Sequence, residues 1–347
     1  MDTLTHALSG ALIARATAGR DTPPRSIPRR VAAGFFACAA PDLDFVVGLV
    51  GPVEYLLHHR GATHSLVMMP LWAIPLAWIL ARILREPEGK TAGWRALYGV
   101  SVLAIGTHIA GDWITSFGTM LLAPLSDWRA GIGTTFIIDL WFSGIILAGL
   151  AASALFYRSR IPSLAAIVAL CGYVGFQYLQ KEKALEFARG YAASRGLAHA
   201  EIAAQPRAVS PFNWTVFVSD AREHHFAHVN LVREAPRAYA PGDGFVARLD
   251  SAFRPLAMAR WETRSRYGDD PLGREAWEAP PLAFLRWFAE RPAFDGRTES
   301  PTCYWFLDLR FLNPGRDWVP FQFGACRNGP GAPWRAYERG DLTRAVR

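Results

Sequence analysis

Residues 66–84 read LVMMPLWAIPLAWILARIL, with a single charge, Arg82, close to the end. A helix rises about 1.5 Å per residue and the hydrocarbon layer is about 30 Å thick, so about 20 apolar residues cross it. This run therefore reads as a membrane span, and similar runs follow at residues 97–123, 136–157 and 161–179. Two earlier stretches, residues 4–18 and 31–50, are weaker candidates. The second is interrupted by Pro41, Asp42 and Asp44, which a lipid-facing helix does not carry. The expected fold begins with an α-helical polytopic membrane domain of about five to six segments.

The 347-residue chain is 51% hydrophobic and 19% charged, with net charge +7. Its 30 Gly, 24 Pro and 4 Cys exclude collagen and a disulfide-dense miniprotein. The charge is unevenly spread, with 13 Lys/Arg and 10 Asp/Glu in residues 1–180 but 24 and 20 in residues 181–347. That split predicts a membrane domain over 1–180 and a soluble domain over 181–347. The second opens on a helical stretch, KEKALEFARGYAASRGL. Strand-like alternation follows at 213–219 (NWTVFVS), 226–233, 303–312 and 318–326, with a helix over 282–290. A small α+β or mainly β domain is expected there.

Short loops rich in Lys and Arg stay in the cytoplasm. If all six segments cross, one set of loops holds Arg15, Arg20, Arg25, Arg29 and Arg30, then Arg82, Arg85, Lys90 and Arg95, then Arg158 and Arg160; the other holds only Arg60 and Arg129. The N-terminus and the soluble domain are thus expected outside the cytoplasm. Met1-Asp2-Thr3 lacks the basic region of a cleavable signal peptide. Cys303 and Cys326 fall in the outer domain, where an oxidising compartment permits a disulfide; two free thiols are the alternative.

Ionisable groups inside apolar segments are costly, and here they are nearly all His and Asp: His6, Asp42, Asp44, His59, His64, His108, Asp112 and Asp139. Zinc and related divalent ions favour this ligand set. His108 and Asp112 lie about 40° apart on one helix face. Asp42 and Asp44 would point about 200° apart on a regular helix, so Pro41 suggests a broken or re-entrant segment. With the orientation above, all these residues share one depth in the outer leaflet. His6, Asp42, His64, His108 and Asp112 are read as metal ligands, and His59 as a further ligand or a residue that orients one. Asp44 or Asp139 would be the general base. A hydrogen-bond network that only ties helices together is the competing reading. Arg60 would either steady an anionic substrate group or snorkel to the interface.

Thr5-His6 with Gly10, Pro41-Asp42-Leu43-Asp44, residues 59–65 (HRGATHS), His108 through Asp112, and residues 115–119 (TSFGT) resemble, in that order, the signature of the YdjM/YfhP family, described as inner-membrane metal-dependent hydrolases. The likeness covers the membrane half. It extends to longer YfhP-like members through Pro211-Phe212-Asn213-Trp214 and the late Trp/Phe-rich strands. It implies a multi-pass protein of the bacterial inner membrane and metal roles for His6, Asp42, His64, His108 and Asp112. A distant relation to zinc-dependent phospholipase C and the single-strand nuclease P1 group is also implied.

The expected activity is hydrolysis of a phosphoester or other ester of a lipid or lipid-linked substrate by metal-activated water. One or two divalent ions are expected, zinc first, with manganese or magnesium open. The alternative is a non-catalytic membrane protein with a structural His/Asp site and a partner-binding outer domain. Signatures of a membrane zinc protease, a serine-hydrolase elbow and a phosphate-binding P-loop are absent from the sequence. His224, His225 and His228 read as ordinary residues of a strand and its turn rather than a second metal site. Basic residues are scattered and no nucleic-acid partner is expected.

Overall fold

Asp2 accepts a hydrogen bond from the backbone N–H of Thr5 at 3.0 Å and caps α1 (Thr3–Ala16), the usual role of a short carboxylate ahead of a helix. The computed structural model describes residues 1–19, 22–84, 93–240, 242–316, 318–342 and 345–346, so Arg20, Arg85 and Lys90 of the expected basic loops lie outside the described residues. The chain continues through α2 (Ile27–Ala39), α3 (Pro52–His58), α4 (Met69–Ile83), α5 (Arg95–Trp113), α6 (Leu140–Leu155) and α7 (Ile161–Ser194). It divides into two units, one of Met1–Val46 with His58–Tyr178, the other of Val47–Leu57 with Leu179–Arg347.

Two helical stretches, Pro24–Leu49 and Ile161–Ser194, are long and apolar enough to cross a membrane, and a third arises if Pro52–His64 and Met69–Ile83, bent by 81°, form one broken span. α6 is apolar but shorter. The run expected at 97–123 is helical only over α5, after which the chain turns irregular. Among the described residues the N-terminal region is therefore helical with two to three candidate spans, fewer than the five to six expected, the runs at 97–123 and 136–157 being helical over only part of their length.

In the first unit α1 and α2 meet at a glycine pair. A Cβ on Gly10 would lie 2.2 Å from the carbonyl oxygen of Gly34, and one on Gly34 would lie 2.3 Å from that of Gly10. Small residues of this kind let membrane helices approach closely, and Ala14, Ala33, Ala37 and Cys38 are buried in the same region. Three arginines bind carbonyls at helix ends: Arg15 those of Tyr157 and Ser159, Arg29 that of Leu84, and Arg30 that of Ala14. These contacts place the ends of α1, α4 and α6 beside the start of α2, and a cation at a helix C-terminus is electrostatically favoured. At the other end of α2, Pro41 has no N–H with which to continue the α-helical ladder. The chain goes on in 3-10 turns over Ala40–Leu49.

The second unit contains two mainly antiparallel sheets. β1 (Glu201–Pro206), β2 (Asn213–Ser219) and β3 (Glu223–Asn230) pair in sequence, and β4 (Arg254–Pro255) and β5 (Trp261–Ser265) both join β3, β4 in parallel. β6 (Pro292–Glu299), β7 (Thr302–Asp308), β8 (Phe323–Arg327) and β9 (Arg335–Glu338) form the second sheet as a meander. The short helices α8 (Phe245–Ser251), α9 (Pro271–Glu278) and α10 (Ala283–Phe288) lie between strands.

β2 is buried along its whole length. Trp214, Val216 and Val218 pack on Ala184, Ala188 and Ala192 of α7, while Phe217, on the opposite face, packs with Phe226, Ala293 and Leu307. The period-two alternation of its sequence thus feeds two cores. Cys303 and Cys326, directly paired in register between β7 and β8, form a disulfide. His224, His225 and His228 all lie on β3 and bond ordinary partners, including Ser219, Glu223 and Thr215.

Candidate metal centre

Three segments of the first unit converge on one point. α1 contributes His6, α5 contributes His108 and Asp112 one turn apart, and the 3-10 run after α2 contributes Asp42. One ligand atom from each of these four lies within 4.8 Å of the others. His64, on the 3-10 turn Ala62–His64, closes the group: its Nε2 is 2.9 Å from His108 Nε2, 3.3 Å from Asp112 Oδ2 and 3.6 Å from Asp42 Oδ1. The His6 ring stacks on that of His108 with centroids 3.7 Å apart, and its Nε2 lies 3.0 Å from Asp112 Oδ1. His6, His64, His108 and Asp112 are at most 1% exposed.

The hydrogen bonds behind the two closest rings decide which nitrogens carry protons. His108 Nδ1 lies 2.6 Å from the carbonyl oxygen of Cys38, which can only accept, so Nδ1 is the protonated nitrogen and Nε2 presents a lone pair. Thr63 Oγ1 donates to Asp44 Oδ2 at 2.9 Å and is left to accept from His64 Nδ1 at 2.9 Å, with Asp44 Oδ2 itself 3.3 Å from that nitrogen. His64 Nε2 is therefore the nitrogen turned toward the group, with a lone pair when the ring is neutral. An imidazole oriented by an oxygen on its far side is the arrangement of metal-ligating histidines.

Asp112 completes the case. Its Oδ1 meets Arg60 Nη2 at 2.9 Å and the amino group of Met1. Its Oδ2 is buried without a hydrogen bond, although His64 Nε2 and His108 Nε2 lie 3.3 and 3.5 Å away. An orphaned buried carboxylate oxygen is costly, and a cation between it and the two nitrogens would satisfy all three. The donor set, imidazole with carboxylate, suits zinc and neighbouring divalent ions.

Other expected residues have different positions. Asp44 is saturated: Oδ1 accepts from His59 Nδ1 at 2.8 Å, and Oδ2 from the Arg60 backbone N–H at 3.1 Å and from Thr63. It orients His59 and His64 and has no oxygen left to act as a lone base. His59 is held by Asp44 rather than placed within the group of four. Asp139 caps α6, accepting from the N–H groups of Trp141 and Phe142 at 2.9 Å and from Tyr173 and Gln177 of α7, so its expected role as a base gives way to a structural one. Arg60 does not snorkel; it is 4% exposed, pairs with Asp112 and lies over the Phe117 ring.

Sequence reasoning missed Cys38, whose sulfur forms a second possible ligand trio with His6 and His108. It also missed Thr3, whose Oγ1 donates to Asp42 Oδ2 at 2.7 Å. Their signal was spacing: Thr3 stands three residues before His6, and Cys38 four before Asp42. Beside the centre, a cavity of about 360 Å³ is walled by Leu43, Trp72, Leu76, Ile79 and Ile105, with Asp44 and Thr63 among its lining. Trp72 and Ile79 are also exposed on the outer face of α4.

A family model described as YdjM inner membrane protein matches residues 1–184. Among curated proteins the chain is similar to YfhP of Bacillus subtilis, with 29% identity over 181 residues, 50% of this chain and 52% of YfhP. The chain thus spans about half the length of the curated relative it matches. No solved structure matches.

Proposed function

Because the chain belongs to the YdjM inner membrane protein family, we propose that it works in the membrane as a metal-dependent hydrolase of an ester or phosphoester carried by a lipid. The observation that carries this reading is the unbonded Asp112 Oδ2 facing the Nε2 atoms of His64 and His108. His64, His108, Asp112 and Asp42 would hold a divalent ion, with His6 beside them. Such an ion supplies Lewis acidity and lowers the pKa of water.

The chain's own groups do the rest. Cys38 and Asp44, through the bonds described above, fix the rings of His108 and His64. Arg60, paired with Asp112, brings a fixed positive charge suited to a substrate oxyanion. The Asp44–His59 pair, joined at 2.8 Å with the His59 ring 5.9 Å from that of His64, would take up the proton lost by water. Lipid as the substrate carrier is supported by the apolar cavity that has Asp44 and Thr63 in its wall. The basic residues gathered at the opposite helix ends, and the disulfide of the second unit, support an extracytoplasmic placement of site and outer domain.

The near-complete burial of His6, His64, His108 and Asp112 favours a second reading, a closed structural site. Two measurements on protein in nanodiscs decide between them: elemental analysis of bound metal, and release of water-soluble headgroup from defined phospholipids. Metal with turnover, both lost in His108→Ala, supports the hydrolase. Metal without turnover on any ester leaves the structural site, and no metal in the wild type sinks both.

A further inference from the structure

The second unit holds a cavity of its own, apart from the residues of the metal centre. A cavity of about 370 Å³ opens beside β5, a size ordinary for a small-molecule pocket. Arg260, Glu262 and Arg264 are alternate residues on and just before that strand and line it together, with His228 of β3 and Arg254 of β4 next to them. Arg316, from the loop after the 3-10 turn Leu309–Phe311, completes the wall. Four guanidinium groups thus face one carboxylate. Among the described residues none of the four has a carboxylate within salt-bridge distance. Elsewhere in the same unit arginines are paired, Arg297 with Asp270 at 3.0 Å and Arg310 with Asp308 at 2.7 Å.

A second observation lies behind the wall. Arg207 is 3% exposed and makes no ion pair at salt-bridge distance among the described residues, Asp308 acting on it only from further off. Its Nη1 donates to Asn313 Oδ1 at 2.8 Å and its Nε to Thr215 Oγ1 at 2.6 Å, and Thr215 Oγ1 lies 2.8 Å from His228 Nδ1. Asn313 and His228 both line the cavity. Arg207 Nη2 is buried with no hydrogen bond at all. Burial, with Arg291 nearby, pulls this guanidinium down to about 9. A buried cation whose nearest carboxylate is not in contact is costly, and an anion in the adjoining cavity would offset that.

We propose that this cavity is a binding site for a compact, multiply charged phosphate group. Arginine is the side chain whose planar fork matches phosphate oxygens, and a concave cationic pocket concentrates small anions. The pocket's size favours one headgroup-sized ligand over a long polyanion, which needs an extended basic track.

The test is calorimetric titration of the full chain in phosphatidylcholine nanodiscs, with EDTA present so that no metal-held anion contributes. Inorganic pyrophosphate is one probe and glycerol 1-phosphate the other. Saturable binding is expected, weakened at least about tenfold in Arg254→Ala/Arg264→Ala and less in the corresponding double lysine variant. Tighter glycerol phosphate binding would mark a lipid headgroup as the source, tighter pyrophosphate binding a free anion. Three results would overturn the site: no saturable binding of either probe, equal binding by wild type and the alanine variant, or binding of an RNA oligomer that pyrophosphate does not displace. Thermal melting of the variants, expected to match wild type because Arg264 is exposed and Arg254 half-buried, separates lost binding from lost folding.

Discussion

His64 and His108 hold their Nε2 atoms 2.9 Å apart, each ring anchored from behind by oxygen, so that the two nitrogens face each other beside an unbonded carboxylate oxygen. Such a pair is stable only with a proton or a cation between the nitrogens. If the cation of the proposed reading is what joins them, purified protein carries a divalent metal and EDTA lowers its melting temperature. Restoring the ion at about 100 times its dissociation constant returns about 2.7 kcal/mol. Differential scanning calorimetry with and without zinc checks this, and an unchanged melt would rule it out.

Asp44 and Asp139 should separate cleanly. Asp44→Asn disturbs the oxygen that orients His64 and is expected to weaken metal binding by about 10–100-fold while the fold persists. Asp139→Ala removes a helix cap and costs about 0.5–2 kcal/mol of stability, leaving metal affinity unchanged. Competition with a zinc-binding dye, read beside a thermal melt, distinguishes the two patterns.

Gly10→Ala would put a Cβ against the Gly34 carbonyl oxygen and force α1 away from α2, whereas Gly99→Ala meets nothing within 4 Å. The first substitution is expected to lower both the melting temperature and the metal content, since α1 carries His6. The second should be neutral or slightly stabilising, because alanine favours a helix by about 1 kcal/mol over glycine. Equal behaviour of the two would show that the glycine contact does not position the site.

Acid should loosen the second unit. Burial holds His224 down to about 4 and His228 down to about 3. Below pH 6.5 an unfolded chain binds protons at these rings that the folded chain refuses, so stability is full above that pH and falls as pH drops. For fully buried His224 the loss is about 1.4 kcal/mol per pH unit until its folded value is reached. Melting curves from pH 7 to 5 should show this slope, flattened in His224→Gln.

The disulfide yields a topological prediction. Removing the Cys303–Cys326 bridge is expected to cost about 2–4 kcal/mol. Thiol labelling of intact cells should find both cysteines protected until a reductant is added. A reporter fused behind the last strand should be active only outside the cytoplasm, and cytoplasmic activity would reverse the orientation.

Much of the centre is legible in the sequence because membrane burial makes ionisable residues conspicuous. His6, Asp42, His64, His108 and Asp112 stand out against apolar runs and gather in the structure. Asp139 was misread for the same reason: standing just before Leu140-Trp141-Phe142, it had the equally ordinary role of a helix cap. Cys38 went unread because a lone buried cysteine looks like a small apolar residue. In the outer unit NWTVFVS announces β2, since both of its faces are buried. β5, with WETRS, carries no such pattern; an edge strand of this kind takes its shape from pairing with β3. β6 is further obscured by the irregularity between Phe294 and Gly296.

Pro41 has a consequence for chain length. The 3-10 run it opens advances about 120° per residue. Asp42 and Asp44 therefore address different nitrogens of the same His64 ring, Asp42 near Nε2 and Asp44 near Nδ1. Inserting one residue between them would turn the second carboxylate by about 120°, onto the side of the first and away from His64 Nδ1. Pro-Asp-x-Asp thus acts as a ruler: relatives that use the same centre should keep the interval even where the intervening residue drifts.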